Sequence, residues 1–158
     1  CISYLANNGH KFIITYPNFD PGYKNVIKEI NKINSNKNIC VEKNLGQNLY
    51  FSILEFIGTN NGICIGNSSS GIKETMFFNC KTINLGARQN SRYKTKNIYD
   101  CNIKNDQMLK IFNHLIKKRI NYKKCDNPYY SPKKMNNIVL KIYKKINNLN
   151  LKIKKITY

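Results

Sequence analysis

Arginine is scarce in this chain, although its overall charge is strongly positive. The sequence has 27 Lys and Arg against 8 Asp and Glu, a formal net charge of +19 at pH 7, yet its arginines are only Arg88, Arg92 and Arg119. Proteins that read a nucleic-acid sequence rely on arginine for bidentate contacts to guanine. The lysines are spread over every segment together with Asn and Ile. This composition argues against a sequence-specific nucleic-acid partner and predicts solvated lysine faces with a nonspecific attraction for anions.

Long apolar runs, a leader segment and paired cysteines are also absent from the sequence. No stretch approaches the length that spans a bilayer, and the beginning lacks a charged segment followed by an apolar one. We therefore expect a cytoplasmic protein with no membrane partner. Because the chain opens on Cys1 and enters a predicted strand almost at once, we also expect further residues in front of it.

The cysteines show no C-x-x-C spacing, and four of them lie in or beside apolar runs. This pattern predicts buried free thiols in a reducing compartment rather than zinc ligands or disulfides, so no metal and no cofactor are expected. The cysteines are Cys1, Cys40, Cys64, Cys80, Cys101 and Cys125.

Short β-rich runs alternate with segments of helical periodicity, which predicts one α/β domain with a Rossmann-like parallel sheet and helices on both faces. Strands are predicted at 11–16, 39–41, 62–66, 81–85 and 97–101, and helices at 23–33, 50–57 and 72–79. Asp106 is expected to cap a further helix, and Ser131-Pro132 to start the last one. The apolar positions of that last helix, predicted to face inward, are Met135, Ile138, Val139, Ile142 and Ile146.

The stretch from Gly66 to Glu74, G-N-S-S-S-G-I-K-E, places small hydroxyl residues between a predicted buried strand and a helix. In an open parallel sheet this junction lies at the carboxyl edge, where ligands bind. Unpaired backbone N–H groups and the helix dipole favour an anion there, so a diphosphate fits. Glu74 can accept hydrogen bonds from two ribose hydroxyls. The alternative is a serine-rich helix cap in which Glu74 closes a capping box.

Two other polar segments follow predicted strands. After the fourth strand, G-A-R-Q-N-S-R places Arg88 and a second arginine at the same sheet edge, where they can meet an anionic ligand. After the first strand comes T-Y-P-N-F-D-P-G. Asn18 of this segment can donate and accept hydrogen bonds at once, which suits a sugar nucleotide, whereas Asp20 is expected to cap the following helix.

Together, the motifs Y-P-N-x-D, G-N-S-S-S-G-I-x-E and N-L-G-x-R-Q-x-x-R resemble the carboxy-terminal domain of the UDP-N-acetylglucosamine 2-epimerases, from about Lys11 to Asp100. The Tyr-Pro-Asn-Phe-Asp form and the serine run resemble the hydrolysing branch. The resemblance implies a GT-B enzyme with two Rossmann-like domains across a cleft, of which residues 1–158 supply the second. It also implies a UDP-binding role for Asn18, Ser68, Ser69, Glu74 and Arg88, with Ser70 and Gly71 completing the phosphate loop.

The same resemblance implies a UDP-sugar substrate, a missing amino-terminal domain as partner and a homo-oligomeric parent enzyme in sialic-acid-type synthesis. The family eliminates UDP and then adds water to give N-acetylmannosamine. Its acidic catalysts lie in the missing domain, and neither His10 nor His114 matches its catalytic histidine. No catalytic residue is therefore assigned, and the chain alone is expected to bind UDP weakly and turn nothing over.

Two alternatives remain open from the sequence. One is the donor-binding domain of a glycosyltransferase, because the same fold serves many reactions. The other is a basic nucleic-acid-binding module built on the lysine-rich end from Lys117 onward, which predicts strongly salt-dependent binding.

Overall fold

The computed structural model describes residues 1–123, 126–130 and 135–147, and its framework is five short strands that pair only in parallel. β1 lies beside β2 in one sheet, and β4 lies between β3 and β5 in a second. The predicted α/β parallel architecture is confirmed, and each predicted strand is present. The strands are β1 (Phe12–Thr15), β2 (Ile39–Glu42), β3 (Ile63–Gly66), β4 (Lys81–Leu85) and β5 (Ile98–Cys101).

Helices connect and cover the strands. Their bounds are α1 (Ile2–Asn7), α2 (Tyr23–Ile33), α3 (Gly46–Thr59), α4 (Ser69–Lys73), a 3₁₀ helix (Thr75–Phe78), α5 (Asn105–Lys117) and α6 (Met135–Asn147). α2 has the predicted bounds, whereas α1 was not predicted, because six residues are too few to show a helical period. Within the described ranges, no helix is long and apolar enough to cross a membrane.

One face of β4 carries the hydrophobic core. Ile83 is fully buried there and belongs to a cluster with Leu5 of α1 and with Phe112 and Leu115 of α5. Burying a side chain of this size contributes about 1.5–3 kcal/mol, so this cluster is a principal source of the stability of the domain.

The opposite face of β4 carries a buried hydrogen-bond network. Thr82 donates its hydroxyl to Thr75 Oγ1 at 2.8 Å, and Thr75 donates in turn to the carbonyl of Gly71 at 2.7 Å. Asn97 donates to Thr75 Oγ1 at 2.9 Å and to the carbonyl of Cys80 at 2.8 Å. The burial of these polar groups costs little free energy, because each donor among them has a hydrogen-bond acceptor.

The network explains why the helix predicted at 72–79 is wrong in its middle. The Thr75 hydroxyl occupies the carbonyl of Gly71 and so competes with the helical backbone. α4 therefore ends at Lys73, and the chain continues as the 3₁₀ helix, whose C-cap Asn79 is in the left-handed conformation with φ 57°.

The amino end of β4 is fixed by the buried ammonium group of Lys81. Its Nζ atom donates to Asn61 Oδ1 at 2.6 Å and to the carbonyls of Leu115 and Lys118 at 2.7 and 2.9 Å. Burial lowers the pKa of Lys81. The two carbonyls belong to the carboxyl end of α5, where a cation is favoured by the helix dipole.

Three predictions about local structure are wrong. Asp106 does not cap α5, because the N-cap is Lys104 and Asp106 lies in the first turn. Val139 and Ile142 of α6 do not face inward, since they are 55% and 53% exposed. Amphipathic spacing shows which side of a helix is apolar but not whether another element covers it. Cys40 is exposed rather than buried.

The other described cysteines are free, as predicted, but Cys1 and Cys64 are only partly buried. Cys80 and Cys101 are buried and free, and burial raises the pKa of Cys80 to about 12. Ser131-Pro132 and Cys125 lie outside the described residues.

We predict that Gly58→Ala lowers the free energy of unfolding, measured in urea, by about 2–3 kcal/mol. A methyl group at this position of α3 would lie 1.8 Å from the carbonyl oxygen of Phe78, whose backbone cannot move aside cheaply. Thr59→Ala, at the exposed neighbouring position, is the control and should stay within about 0.5 kcal/mol of the parent. Equal stability of the two variants would contradict the packing of α3 on the 3₁₀ helix.

Candidate functional site

The polar segments that follow β1, β3 and β4 meet at the carboxyl edge of the strands. β3 and β4 are parallel neighbours, with Gly66 opposite Asn84, so their following loops leave the sheet side by side. Ligands of open α/β folds bind at this edge. Three contacts between residues of different segments define the geometry there.

The first contact joins the loops after β3 and β4. Gln89 is 3% exposed, and its Nε2 atom donates to the carbonyl of Asn67 at 2.8 Å. Gln89 adjoins Arg88 in sequence, and Asn67 adjoins Ser68. Arg88 and the serine loop therefore lie at the same edge of the sheet.

The second contact joins the loops after β1 and β4. Arg88 Nη2 lies 3.0 Å from Asp20 Oδ2, and the two side chains are 48% and 54% exposed. The prediction that Asp20 caps α2 is wrong, because the N-cap is Gly22 and no side chain bonds to the helix end. Asp20 instead holds the guanidinium group of Arg88 in an exposed ion pair.

The third contact joins α3 to the serine loop. Ser70 donates its hydroxyl to Glu74 Oε2 at 2.7 Å and contacts the hydroxyl of Tyr50. Since the Ser70 proton points to Glu74, the Tyr50 hydroxyl is the donor to Ser70. Burial raises the pKa of Tyr50, so its hydroxyl remains a donor at neutral pH.

The other predicted loop residues have distinct surroundings. Ser68 is exposed and is the N-cap of α4, where its Oγ atom accepts a hydrogen bond from the amide of Ser70 at 3.3 Å. Ser69 is half-buried. Gly71 is buried, and a methyl group there would lie 3.3 Å from Cγ2 of Thr82, so its small size lets α4 approach β4 closely.

A cavity of about 550 Å³ lies beside this edge. Asn18 lines it from the loop after β1, and Tyr50 lines it from α3. Because Tyr50 also contacts Ser70, the cavity and the serine loop share one side chain. The volume lies in the range of small-molecule sites. The structure thus brings all the predicted segments together, although Arg88 and Glu74 stand beside the cavity rather than in its wall.

The histidines lie away from this edge. The His10 ring packs edge-on against Phe112 with centroids 4.9 Å apart, and His114 is exposed on α5. In the part of the chain that the structure describes, no group of three or more His, Cys, Asp or Glu side chains could hold a metal ion.

Parallel strands covered by helices, with polar loops converging at the carboxyl edge, define a Rossmann-like α/β domain. The model of one protein family, described as UDP-N-acetylglucosamine 2-epimerase, matches residues 1–143. This chain belongs to that family, as its motifs predicted.

Individual relatives agree with the family match. A UDP-N,N'-diacetylbacillosamine 2-epimerase (hydrolyzing) of Legionella pneumophila is 30% identical over 122 residues, which cover 77% of this chain and 31% of that protein. A UDP-N-acetylglucosamine 2-epimerase of Neisseria meningitidis is 30% identical over 61% of this chain and 27% of its own length. A GDP/UDP-N,N'-diacetylbacillosamine 2-epimerase (hydrolyzing) of Campylobacter jejuni is 45% identical over 38% of this chain and 15% of its own length. The chain spans less than a third of the length of these relatives.

Sequence reasoning gave no role to Tyr50 or Gln89. Tyr50 was assigned only to a helix, and its hydroxyl gave no signal that it would reach a serine twenty positions away. Gln89 belongs to the motif after β4, but its burial could not be read from a polar segment. Both residues connect segments that are separate in the sequence and for which no mutual contact was predicted.

We predict that Gln89→Ala loosens the serine loop and lowers the free energy of unfolding by about 1–2 kcal/mol, because the hydrogen bond to the backbone carbonyl of Asn67 and the packing of a buried side chain are lost. The amides of Ser69 and Ser70 should exchange with deuterium faster than in the parent chain, as followed by NMR. Asn90→Ala, at the exposed next position, is the control and should change neither quantity. Unchanged exchange in the Gln89 variant would show that the contact does not hold the loop.

Proposed function

We propose that this chain is the UDP-binding part of a hydrolysing UDP-N-acetylglucosamine 2-epimerase. The full enzyme would convert a UDP-N-acyl amino sugar and water to the epimerised free sugar and UDP, in cytoplasmic synthesis of sialic-acid-type sugars. Membership of the family supports the reaction class, and two of the relatives carry the word hydrolyzing in their names.

One observation carries the assignment of the site. The contacts Gln89 to Asn67, Asp20 to Arg88 and Tyr50 to Ser70 join the three family motifs at one edge of the strands, beside a cavity that the motif after β1 lines. In our proposal the diphosphate contacts the serine loop and the guanidinium group of Arg88. Glu74 accepts from the ribose hydroxyls, and Asn18 contacts the nucleotide sugar from across the cavity.

Catalysis is assigned to the enzyme as a whole and not to this chain. Elimination of UDP and addition of water need an acid, a base and a bound water that converge on the sugar. The resemblance places the acidic groups in the other domain of a two-domain enzyme. We therefore expect the 158-residue chain to bind UDP without turning over the UDP-sugar.

We predict that calorimetry detects millimolar binding of UDP and that Arg88→Ala weakens it about tenfold, as expected when a charge-assisted hydrogen bond is lost. The affinity of the Arg88→Ala variant for inorganic pyrophosphate should fall by a similar factor, since pyrophosphate makes the same phosphate contacts. Arg119→Ala removes the same charge beyond the end of α5 and should leave binding unchanged. Because the ion pair of Arg88 is exposed, its loss should change the free energy of unfolding by less than about 1 kcal/mol.

An intact fold with no heat of binding at millimolar UDP would contradict the proposal. Equal effects of the two arginine variants, together with a steep salt dependence, would instead favour nonspecific attraction by the basic surface. The comparison of Arg88 with Arg119 separates a built site from net charge.

We further predict that Glu74→Ala lowers the affinity for UDP about tenfold but leaves the affinity for pyrophosphate unchanged, because only UDP has a ribose. Both affinities are measured by calorimetry on the same preparation. If pyrophosphate also binds less tightly, the role of Glu74 is to hold Ser70, to which it is hydrogen-bonded at 2.7 Å, and not to contact the ribose.

A further inference from the structure

Phe19 is an apolar side chain held almost entirely in water. It is 89% exposed, the largest fraction for any large apolar side chain in the described ranges. Its neighbours both take part in the site, since Asn18 lines the cavity and Asp20 pairs with Arg88. A ring in this position gives the free chain little burial energy and is accessible to a ligand.

The ring is nevertheless oriented by its surroundings. Tyr23, at the start of α2, meets it edge to face, with centroids 5.3 Å apart and planes at 78°. This geometry is the favoured one for an aromatic pair. One side of Phe19 is thus supported, while most of its ring surface remains exposed.

The cavity beside Phe19 has the aromatic and amide lining that a heterocyclic ring requires. Phe19 and Tyr23 line it on the side of the loop after β1, and Leu45 and Tyr50 line it on the side of α3. Asn44 adds an amide that can donate and accept hydrogen bonds, as the edge of a heterocycle requires. Aromatic faces with one or two polar groups are typical of small-ligand sites.

The position of the cavity relative to the serine loop fixes which part of a ligand enters it. Tyr50 joins the two, because it lines the cavity and contacts Ser70. Asp20, one residue from Phe19, reaches the guanidinium group of Arg88 at 3.0 Å. A ligand with its phosphates at Arg88 and the serines therefore extends its other end between Phe19 and Tyr50.

We infer that Phe19 is a nucleobase-binding residue that closes the cavity by stacking on the heterocycle of a nucleoside diphosphate. This inference rests on the proposed function and adds to it the wall that the base contacts. Stacking on an aromatic side chain is tolerant of base identity, so Phe19 supplies affinity for the base rather than a choice among bases.

The absence of tryptophan from the sequence gives a direct test. Phe19→Trp creates a single tryptophan, whose fluorescence is expected to be quenched by UDP in a saturable manner, at the concentrations where calorimetry detects binding. Pyrophosphate should leave the emission unchanged. Phe56→Trp is the control, because Phe56 is 67% exposed on α3 and is not part of the cavity wall; its emission should not respond to UDP.

Affinities provide a second readout. Phe19→Ala should lower the affinity for UDP about tenfold, which lies within the range of base stacking, without changing the affinity for pyrophosphate. Phe19→Tyr should restore the parent affinity, and Phe56→Ala should match the parent throughout. Because Phe19 is exposed, these variants should fold as the parent does.

The possible failures are distinguishable. If UDP binds the parent chain but the Phe19→Trp emission and the Phe19→Ala affinity do not change, the stacking role is wrong and the proposed function stands. If Phe19→Ala lowers the affinity for pyrophosphate as strongly as the affinity for UDP, Phe19 acts by shaping the loop after β1 that carries Asp20, and the inference is again wrong. If the parent binds no UDP, both the inference and the proposed function fail.

Discussion

The position of β4 between two parallel neighbours is the constraint on which the rest of the structure depends. Its two faces meet opposite environments, with Ile83 in the hydrophobic core and Thr82 in the hydrogen-bond network of Thr75 and Asn97. A shift of one residue in register would exchange these faces and bury Ile83 among hydroxyls and amides. Because that exchange is costly, the loop after β4 leaves the sheet at a fixed place beside the loop after β3.

Each end of β4 is also tied to another element. At the amino end, Lys81 donates to Asn61 and to the last carbonyls of α5. Just beyond the carboxyl end, buried Gln89 donates to Asn67. Between these anchors the strand has little freedom, whereas Arg88 projects from the loop after it with about half of its side chain exposed. A rigid base with an accessible charged tip is the arrangement that preorganised binding sites require.

Features that local patterns determine, such as the bounds of helices and strands, could be predicted from the sequence. Features that depend on residues distant in the chain could not. The bounds of α2 and β4 agree with the prediction, because apolar periodicity and a short buried run specify them. Asp20 was wrongly predicted to be a helix cap, because capping is the role that its neighbours in sequence suggest. Its actual partner, Arg88, lies in the loop after β4, which belongs to the other sheet. Val139 and Ile142 of α6 were wrongly predicted to face inward, since covering a helix depends on other elements. The position of polar residues at the ends of predicted strands indicated an anion site at the serine loop and Arg88, whereas the specific UDP-binding roles came from family resemblance.

The exposed ion pair between Asp20 and Arg88 can break at little cost, which lets Arg88 take another anionic partner. A pair of this exposure contributes at most about 1 kcal/mol, so turning the guanidinium group from a carboxylate to a phosphate costs little stability. A charge-assisted hydrogen bond to phosphate contributes about 1.5–3 kcal/mol, which exceeds that cost. Asp20 then remains near the anion and repels it, and the lysines of this basic chain offset that repulsion only within about 8 Å at physiological salt. These opposing terms leave a small net gain, so in the proposed site Arg88 alone would bind a phosphate only weakly.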